Sequence, residues 1–300
     1  MGLFAPQFFQ REFRQLDKRL LSFGHGYSAR ALAARLVPEG WHIVGTTRSA
    51  DKLAEIAATG VEPLLWPGND PAGLIDEFPN VLISAGPTTD GDPVLAACHA
   101  SFMRAAAKIH WLGYLSTTGV YGDHAGGWVD EETALNPATR RGIARVNAEK
   151  AWANIPDLPL HIFRLAGIYG PDRGPFAKVR NGTARRIIKE NQVFSRIHVE
   201  DIAQALELSL NAPSSGSIYN LCDDDPAPPQ DVIAHAAALL GMPVPPAIPF
   251  EEADLTPMAR SFYAESKRVR NDHAKAALGW QPKYLDYRSG LAAMLGQTKN

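Results

Sequence analysis

The stretch Leu20-Leu21-Ser22-Phe23-Gly24-His25-Gly26-Tyr27-Ser28-Ala29-Arg30-Ala31-Leu32 decides the fold. A short apolar run is followed by Gly-x-Gly-x-x-Ala and then by the start of an amphipathic helix. A strand must turn sharply into a helix here, and glycine leaves room for a pyrophosphate to rest on backbone amides. Ala29 in the third slot still allows close helix–strand packing. In this setting the pattern predicts that Gly24, His25, Gly26, Tyr27, Ser28 and Ala29 bind the dinucleotide NAD or NADP. Glycines serving an ordinary turn are the plain alternative.

Outward from this loop, strand-like and helical runs alternate. Apolar runs stand at Leu20–Phe23, His42–Thr46, Val61–Trp66, Val81–Ala85, Trp111–Ser116 and His161–Leu165. Helix-period segments lie between them at Ala29–Leu36, Ala50–Ala58, Pro93–Lys108 and Gly142–Asn154. Continuous Val/Ile/Leu strands separated by helices predict an α/β fold, a Rossmann-like doubly wound parallel sheet. Ligands of such sheets bind beyond the carboxyl ends of the strands. From about Pro171 proline becomes frequent and the strands shorten (Phe194–Ile197, Ser217–Leu221), while helices are expected at Asp201–Asn211, Pro229–Leu240 and Asn271–Leu278. The expected division is a nucleotide-binding domain over 1–170, with an extension over 1–18, and a smaller substrate lobe over 171–300 packed on it. In the extension, Phe9, Phe13, Leu16 and Leu20 recur at helical spacing and suggest a packed or frayed helix rather than a membrane-surface one.

The composition bounds the partners. The chain has 300 residues, 45% hydrophobic and 21% charged, enough for one or two domains with a substantial core. Thirty basic and 32 acidic residues leave a net charge of -2, which argues against nucleic acid or an anionic membrane. Cys98 and Cys222 are far apart and show no metal-ligand spacing, so neither a disulfide framework nor a zinc site is expected. No secretory signal or membrane helix is legible, and the expectation is a cytoplasmic protein with a small-molecule substrate.

The second strand runs into Thr46-Thr47-Arg48-Ser49. An acidic residue at this point chelates the ribose 2′-hydroxyl of NAD and repels a 2′-phosphate. Thr47 and Arg48 offer a hydroxyl and a guanidinium instead, so NADP is preferred over NAD; an Arg48 that merely faces solvent remains open. By the same strand-end logic Ser84, Ala85 and Gly86, and later Leu165, Ala166 and Gly167, are candidate cofactor-binding residues.

Three later segments carry a resemblance. Ser116-Thr117-Thr118-Gly119-Val120-Tyr121-Gly122, Arg164-Leu165-Ala166-Gly167-Ile168-Tyr169-Gly170-Pro171 and Ile197-His198-Val199-Glu200-Asp201-Ile202-Ala203 occur in this order. With the glycine loop they make the chain, from about Leu20 to Leu291, resemble the extended short-chain dehydrogenase/reductases, the NAD-dependent epimerase/dehydratase family. The resemblance implies nicotinamide near the ends of strands five and six, and substrates such as nucleotide sugars or related alcohols and ketones. It also implies a homodimer through the helices after strands four and five, and hydride transfer assisted by a Ser/Thr hydroxyl, a Tyr and a Lys. Thr117 falls in the Ser/Thr slot, with a threonine that merely closes the strand as the alternative.

The departure from the family is as informative as the match. The family's Tyr-x-x-x-Lys region reads Arg141-Gly142-Ile143-Ala144-Arg145 here, with Gly142 and Glu149 keeping register. Arg141 therefore occupies the Tyr slot and Arg145 the Lys slot. A guanidinium keeps its proton at physiological pH, so Arg141 does not alternate between acid and base. A relocated phenol, Tyr121 or Tyr169, is one alternative proton donor. The Tyr263-Ala264-Glu265-Ser266-Lys267 segment does spell Tyr-x-x-x-Lys, but its position is wrong for the family role. His198 and Asp201, three residues apart with no third ligand, are expected to order a helix start rather than bind a metal. Two readings stay open: an NAD(P)-dependent enzyme, oxidoreductase or epimerase, with an altered acid–base site, and a dinucleotide-binding sensor without hydride chemistry.

Overall fold

The computed structural model describes residues 18–297. Phe9, Phe13 and Leu16 of the expected N-terminal stripe lie outside the described residues; Leu20 belongs to the first strand. The central sheet has seven strands: β1 (Arg19–Phe23), β2 (His42–Thr47), β3 (Glu62–Leu65), β4 (Asn80–Ile83), β5 (Trp111–Thr117), β6 (Leu160–Leu165) and β7 (Ile218–Leu221). Their spatial order is β7-β6-β5-β4-β1-β2-β3. Every residue of β4 and β6 is buried, as parallel strands covered on both faces require. The register pairs Leu21 with both Val44 and Val81, so apolar side chains stack along each face. The order reverses at β1, where β2 lies on one side and β4 on the other.

The helices follow the apolar period closely. Helix α1 (Tyr27–Leu36) buries Ala29, Leu32, Ala33 and Leu36. Helix α2 (Pro93–Ala105) starts on Asp92, whose Oδ1 accepts the amides of Val94 and Leu95 at 2.9 and 3.1 Å. Pro93 at the first helical position needs no partner for an amide it lacks. Helix α3 (Arg140–Ala153) is capped by Thr139, whose Oγ1 accepts from the Gly142 amide at 3.1 Å. Then come α4 (Val199–Asn211), α5 (Pro229–Leu239), α6 (Pro257–Phe262), α7 (Asp272–Leu278) and α8 (Tyr287–Gln297).

Two compact units emerge, and both are discontinuous in sequence. Among the described residues the first comprises residues 18–115, Asn147–Ile162 and Leu206–Ser217. An aromatic chain fills it: Phe23 meets Trp66 and Phe102, and Phe102 meets Trp152 edge-on at 4.8 Å. The Trp152 indole donates to Asp92 Oδ2 at 3.1 Å, so the carboxylate that caps α2 also anchors the core. The second unit comprises Ser116–Val146, Phe163–Ala205 and Ile218–Asn300. Tyr169, Phe176, Val232, Tyr287 and Leu291 belong to its buried core.

The expected break at residue 170 differs from this division, because residues 116–146 group with the second unit. The strand expected in the small lobe at 217–221 is the edge strand β7 of the main sheet. A four-residue strand carries no local mark of which sheet will accept it.

Candidate functional site

The glycine loop lies in the first unit. Gly24 has φ of +73°, and a Cβ there would come within 2.8 Å of the Ala85 amide nitrogen. Handedness and close packing both demand glycine at this position. Gly26 is different: its φ of -100° and ψ of -154° suit any residue, and a Cβ would meet only the Gly24 carbonyl at 3.6 Å. The fold leaves the space above Gly26 open. Helix α1 begins at that point with no side-chain cap, so amides of its first turn have no intrahelical acceptor. Free amides at a helix start favour an anion. Tyr27 is half-buried, while Ser28 and Ala29 are buried.

His25 does not join this anion cradle. Its ring is buried, with Nδ1 3.1 Å from Ser22 Oγ, and packs so tightly on Gly45 that a Cβ there would lie 2.7 Å from Cγ. Burial, with Arg30 nearby, pushes its pKa down to about 4, so the ring is neutral at pH 7. The His25 amide is taken by the Thr46 carbonyl at 2.8 Å. Neither its ring nor its amide is presented to a phosphate, which corrects the sequence expectation. Thr46, by contrast, escaped the sequence reading. Its hydroxyl accepts the Gly24 amide at 2.8 Å and its carbonyl takes His25, so β2 clamps the loop from below.

At the exit of β2, Thr47 Oγ1 accepts from the Ser49 amide at 3.2 Å, and Arg48 is exposed. After β4, the amides of Ser84 and Ala85 both donate to the Phe23 carbonyl, while Gly86 is exposed.

In the second unit, Thr117 ends β5 in extended conformation and caps the 3₁₀ turn Thr118–Tyr121 through a 3.2 Å bond from the Gly119 amide. Its hydroxyl has accepted one bond and retains its own proton to donate. Helix α3 starts against this same turn. A Cβ on Gly142 would stand 2.8 Å from the Gly119 carbonyl, so glycine permits the approach. Gly142 thus stands against the turn that Thr117 caps. Arg141 is exposed, with its guanidinium carbon 4.7 Å from the Phe262 ring centroid. Arg145, one turn further on, is half-buried.

Tyr121 is not presented to solvent. Its ring is fully buried, and its hydroxyl donates to Asn220 Oδ1 at 2.8 Å and accepts from Arg164 at 3.0 Å. Burial pushes the phenol up to about 12 despite the nearby Arg164 cation. Such a group holds its proton throughout the physiological range, so the expectation of a catalytic Tyr121 is corrected to a structural role. Tyr169 is likewise buried and its pKa is pushed far up, first by burial and then by Asp223 and Asp201. Leu165 and Ala166 are buried, and Gly167 is exposed with its amide given to the Ser195 carbonyl.

Lys267 of the misplaced Tyr-x-x-x-Lys has a structural use. Its ammonium donates to the Gly122 carbonyl at 2.6 Å and to Glu265 at 2.8 Å, closing the far end of the Thr117 turn. His198 Nδ1 accepts the Glu200 amide at 3.3 Å and so does order the start of α4. Asp201 instead accepts the amides of Lys283 and Tyr284, far along the chain. Among the described residues no group of three His, Cys, Asp or Glu is arranged to hold a metal. None of the described helices is long and apolar enough to cross a membrane.

A seven-stranded sheet whose order reverses at β1, with a glycine-rich turn from β1 into α1, defines a Rossmann-like nucleotide-binding fold. No family model matches the chain. Protein YeeZ of Escherichia coli K12 is 31% identical over 241 residues, covering 76% of this chain and 86% of that protein. A 3-diazoavenalumate denitrifying reductase from Streptomyces is 29% identical over 167 residues, 51% of this chain and 52% of its own. Among solved structures, a conserved protein of unknown function from Silicibacter pomeroyi superposes with a TM-score of 0.90 at 58% identity, covering 94% and 99% of the two chains. UDP-glucuronic acid 4-epimerase from Bacillus cereus, solved with NAD, gives 0.72 at 17% identity over 94% and 96%. The chain belongs to the same family as protein YeeZ, and its fold is that of the NAD-dependent epimerases and dehydratases.

Proposed function

We propose that this protein binds NADP in preference to NAD and acts as an NAD(P)-dependent oxidoreductase on a small carbonyl or alcohol substrate. The observation that carries the reading is the open face over Gly26, a position whose backbone any residue could adopt and whose Cβ direction the protein leaves empty. The first-turn amides of α1 take the pyrophosphate, and Gly26 lets it approach. Thr47 and Arg48 meet the adenosine ribose, where the guanidinium favours a 2′-phosphate. Ser84–Gly86 and Leu165–Gly167, at strand exits, supply backbone contacts, and Arg145 a cation near the nicotinamide ribose.

Bound NAD(P)H supplies a hydride. Thr117 donates its hydroxyl proton in a hydrogen bond to the substrate oxygen that turns anionic. Neither the Arg141 nor the Arg145 guanidinium gives up a proton, so the final proton comes from solvent. The same feature favours a second reading, a dinucleotide sensor without turnover: the Tyr slot holds Arg141, and Tyr121 is locked to Asn220 and Arg164.

The test is Gly26→Val, titrated calorimetrically with NADP and NAD. The fold tolerates valine at this φ and ψ, so the melting temperature should hold while affinity falls by about a hundredfold or more. Undiminished binding by the variant removes the proposal. Oxidation of NADPH by the wild type with a carbonyl panel separates enzyme from sensor.

A further inference from the structure

Arg141 stands where a helix tolerates a cation least. It is the second residue of α3, beyond the Thr139 cap, in a first turn that also holds Arg140 and contains no acid. The start of a helix carries partial positive charge, which disfavours cations. Arg145 follows four residues later, the spacing at which like charges repel. Among the described residues no carboxylate pairs with Arg141. What it touches is Phe262, and that ring is itself 51% exposed at the end of α6. A cation at a helix start with no carboxylate beside it breaks a local rule, as functional positions do. The close contact of Gly142 with Gly119 fixes this corner beside the turn capped by Thr117.

We infer that Arg141 and Phe262 form a seat for a planar, carboxylate-bearing substrate. The carboxylate takes two parallel N–H bonds from the guanidinium edge, and the flat skeleton lies against the exposed ring. Contact with Phe262 restricts the Arg141 side chain, so less freedom is lost when the fork closes on a carboxylate. A lysine at 141 would supply charge but no fork. Phosphate also binds arginine, but a sugar phosphate has no flat apolar surface to use the ring. The inference rests on the second-unit part of the proposed function and names the substrate class for it.

The probe is trans-cinnamate, titrated calorimetrically with and without NADP against cinnamamide, phenyl phosphate and UDP-glucose. NADP affinity is measured on the same samples, so failure of the cofactor reading shows separately. Cinnamate should bind at least about tenfold more tightly than cinnamamide, because only the charged group engages the fork. Arg141→Lys and Phe262→Leu should each weaken cinnamate by about tenfold while NADP affinity and melting temperature stay as in the wild type. Both side chains are on the surface, so the variants should fold. No cinnamate binding, equal binding of cinnamate and cinnamamide, or indifference to Arg141→Lys overturns the inference. Preference for phenyl phosphate or UDP-glucose overturns it in favour of a phosphorylated substrate.

Discussion

Asp223 should make the protein less stable as pH rises above neutrality. It follows β7, its amide donates to the Arg196 carbonyl at 2.6 Å, and its side chain is 1% exposed. Neither carboxylate oxygen accepts a hydrogen bond. Arg196, the cation that opposes this burial, gives its Nη1 to the carbonyls of Phe194 and Ala227. Burial therefore pushes the Asp223 carboxyl up from 3.8 to about 8, with Arg196 opposing and Asp225 reinforcing. The native chain holds a proton that the unfolded chain has lost between about pH 4 and 8. Stability from this group is complete below the unfolded pKa and disappears as pH rises through the folded one, at up to about 1.4 kcal/mol per unit. From pH 6.5 to 8.0 the loss should approach ~2 kcal/mol, a large part of a typical margin of ~5–15 kcal/mol. Asp201, raised to about 6 by burial, is mostly ionised there, while His25, His161 and His198, whose pKa values burial lowers, each add on the order of a few tenths of a kcal/mol of stability as pH leaves the unfolded imidazole value, so the Asp223 part is read against a variant. Urea unfolding followed by tryptophan fluorescence at the two pH values gives the difference. Relative to the wild type, Asp223→Asn should gain stability between the two pH values by about the amount that Asp223 loses. A variant whose change with pH matches that of the wild type refutes the reasoning.

Two further outcomes test the site. Arg48→Asp should weaken NADP at least about tenfold more than NAD, because a carboxylate repels a 2′-phosphate; equal effects on both cofactors mean Arg48 does not read the phosphate. Tyr121→Phe should cost about 1–3 kcal/mol of stability, since Asn220 and Arg164 each lose a buried partner, yet leave the pH dependence of NADPH oxidation between pH 6 and 9 unchanged. A neutral inflection that vanishes in this variant would restore Tyr121 as the acid.

The sheet was legible because its signals are local. Strands β1 to β6 are apolar runs, the helices between them keep a 3.6-residue period, and Gly24 with Gly26 mark the sharp turn. The slots of Thr117, Arg141 and Arg145 came from the resemblance to a family rather than from any local physical signal. Side-chain direction and distant partners were another matter. His25 sits in the glycine loop but turns inward to Ser22 and Gly45, which periodicity does not reveal. Tyr121 is sealed by Arg164 and Asn220, 43 and 99 residues away, and Arg141 finds Phe262 across 121 residues, an interval no local pattern spans. The edge strand Ile218–Leu221 needed a neighbour to declare its sheet. Chain grammar thus determined which elements form and where the turns lie, because hydrogen bonding and backbone handedness act over a few residues. The tertiary structure alone decided which polar groups face ligand and which are spent inside, because burial, and the pKa shifts that follow from it, depend on what the rest of the chain brings alongside.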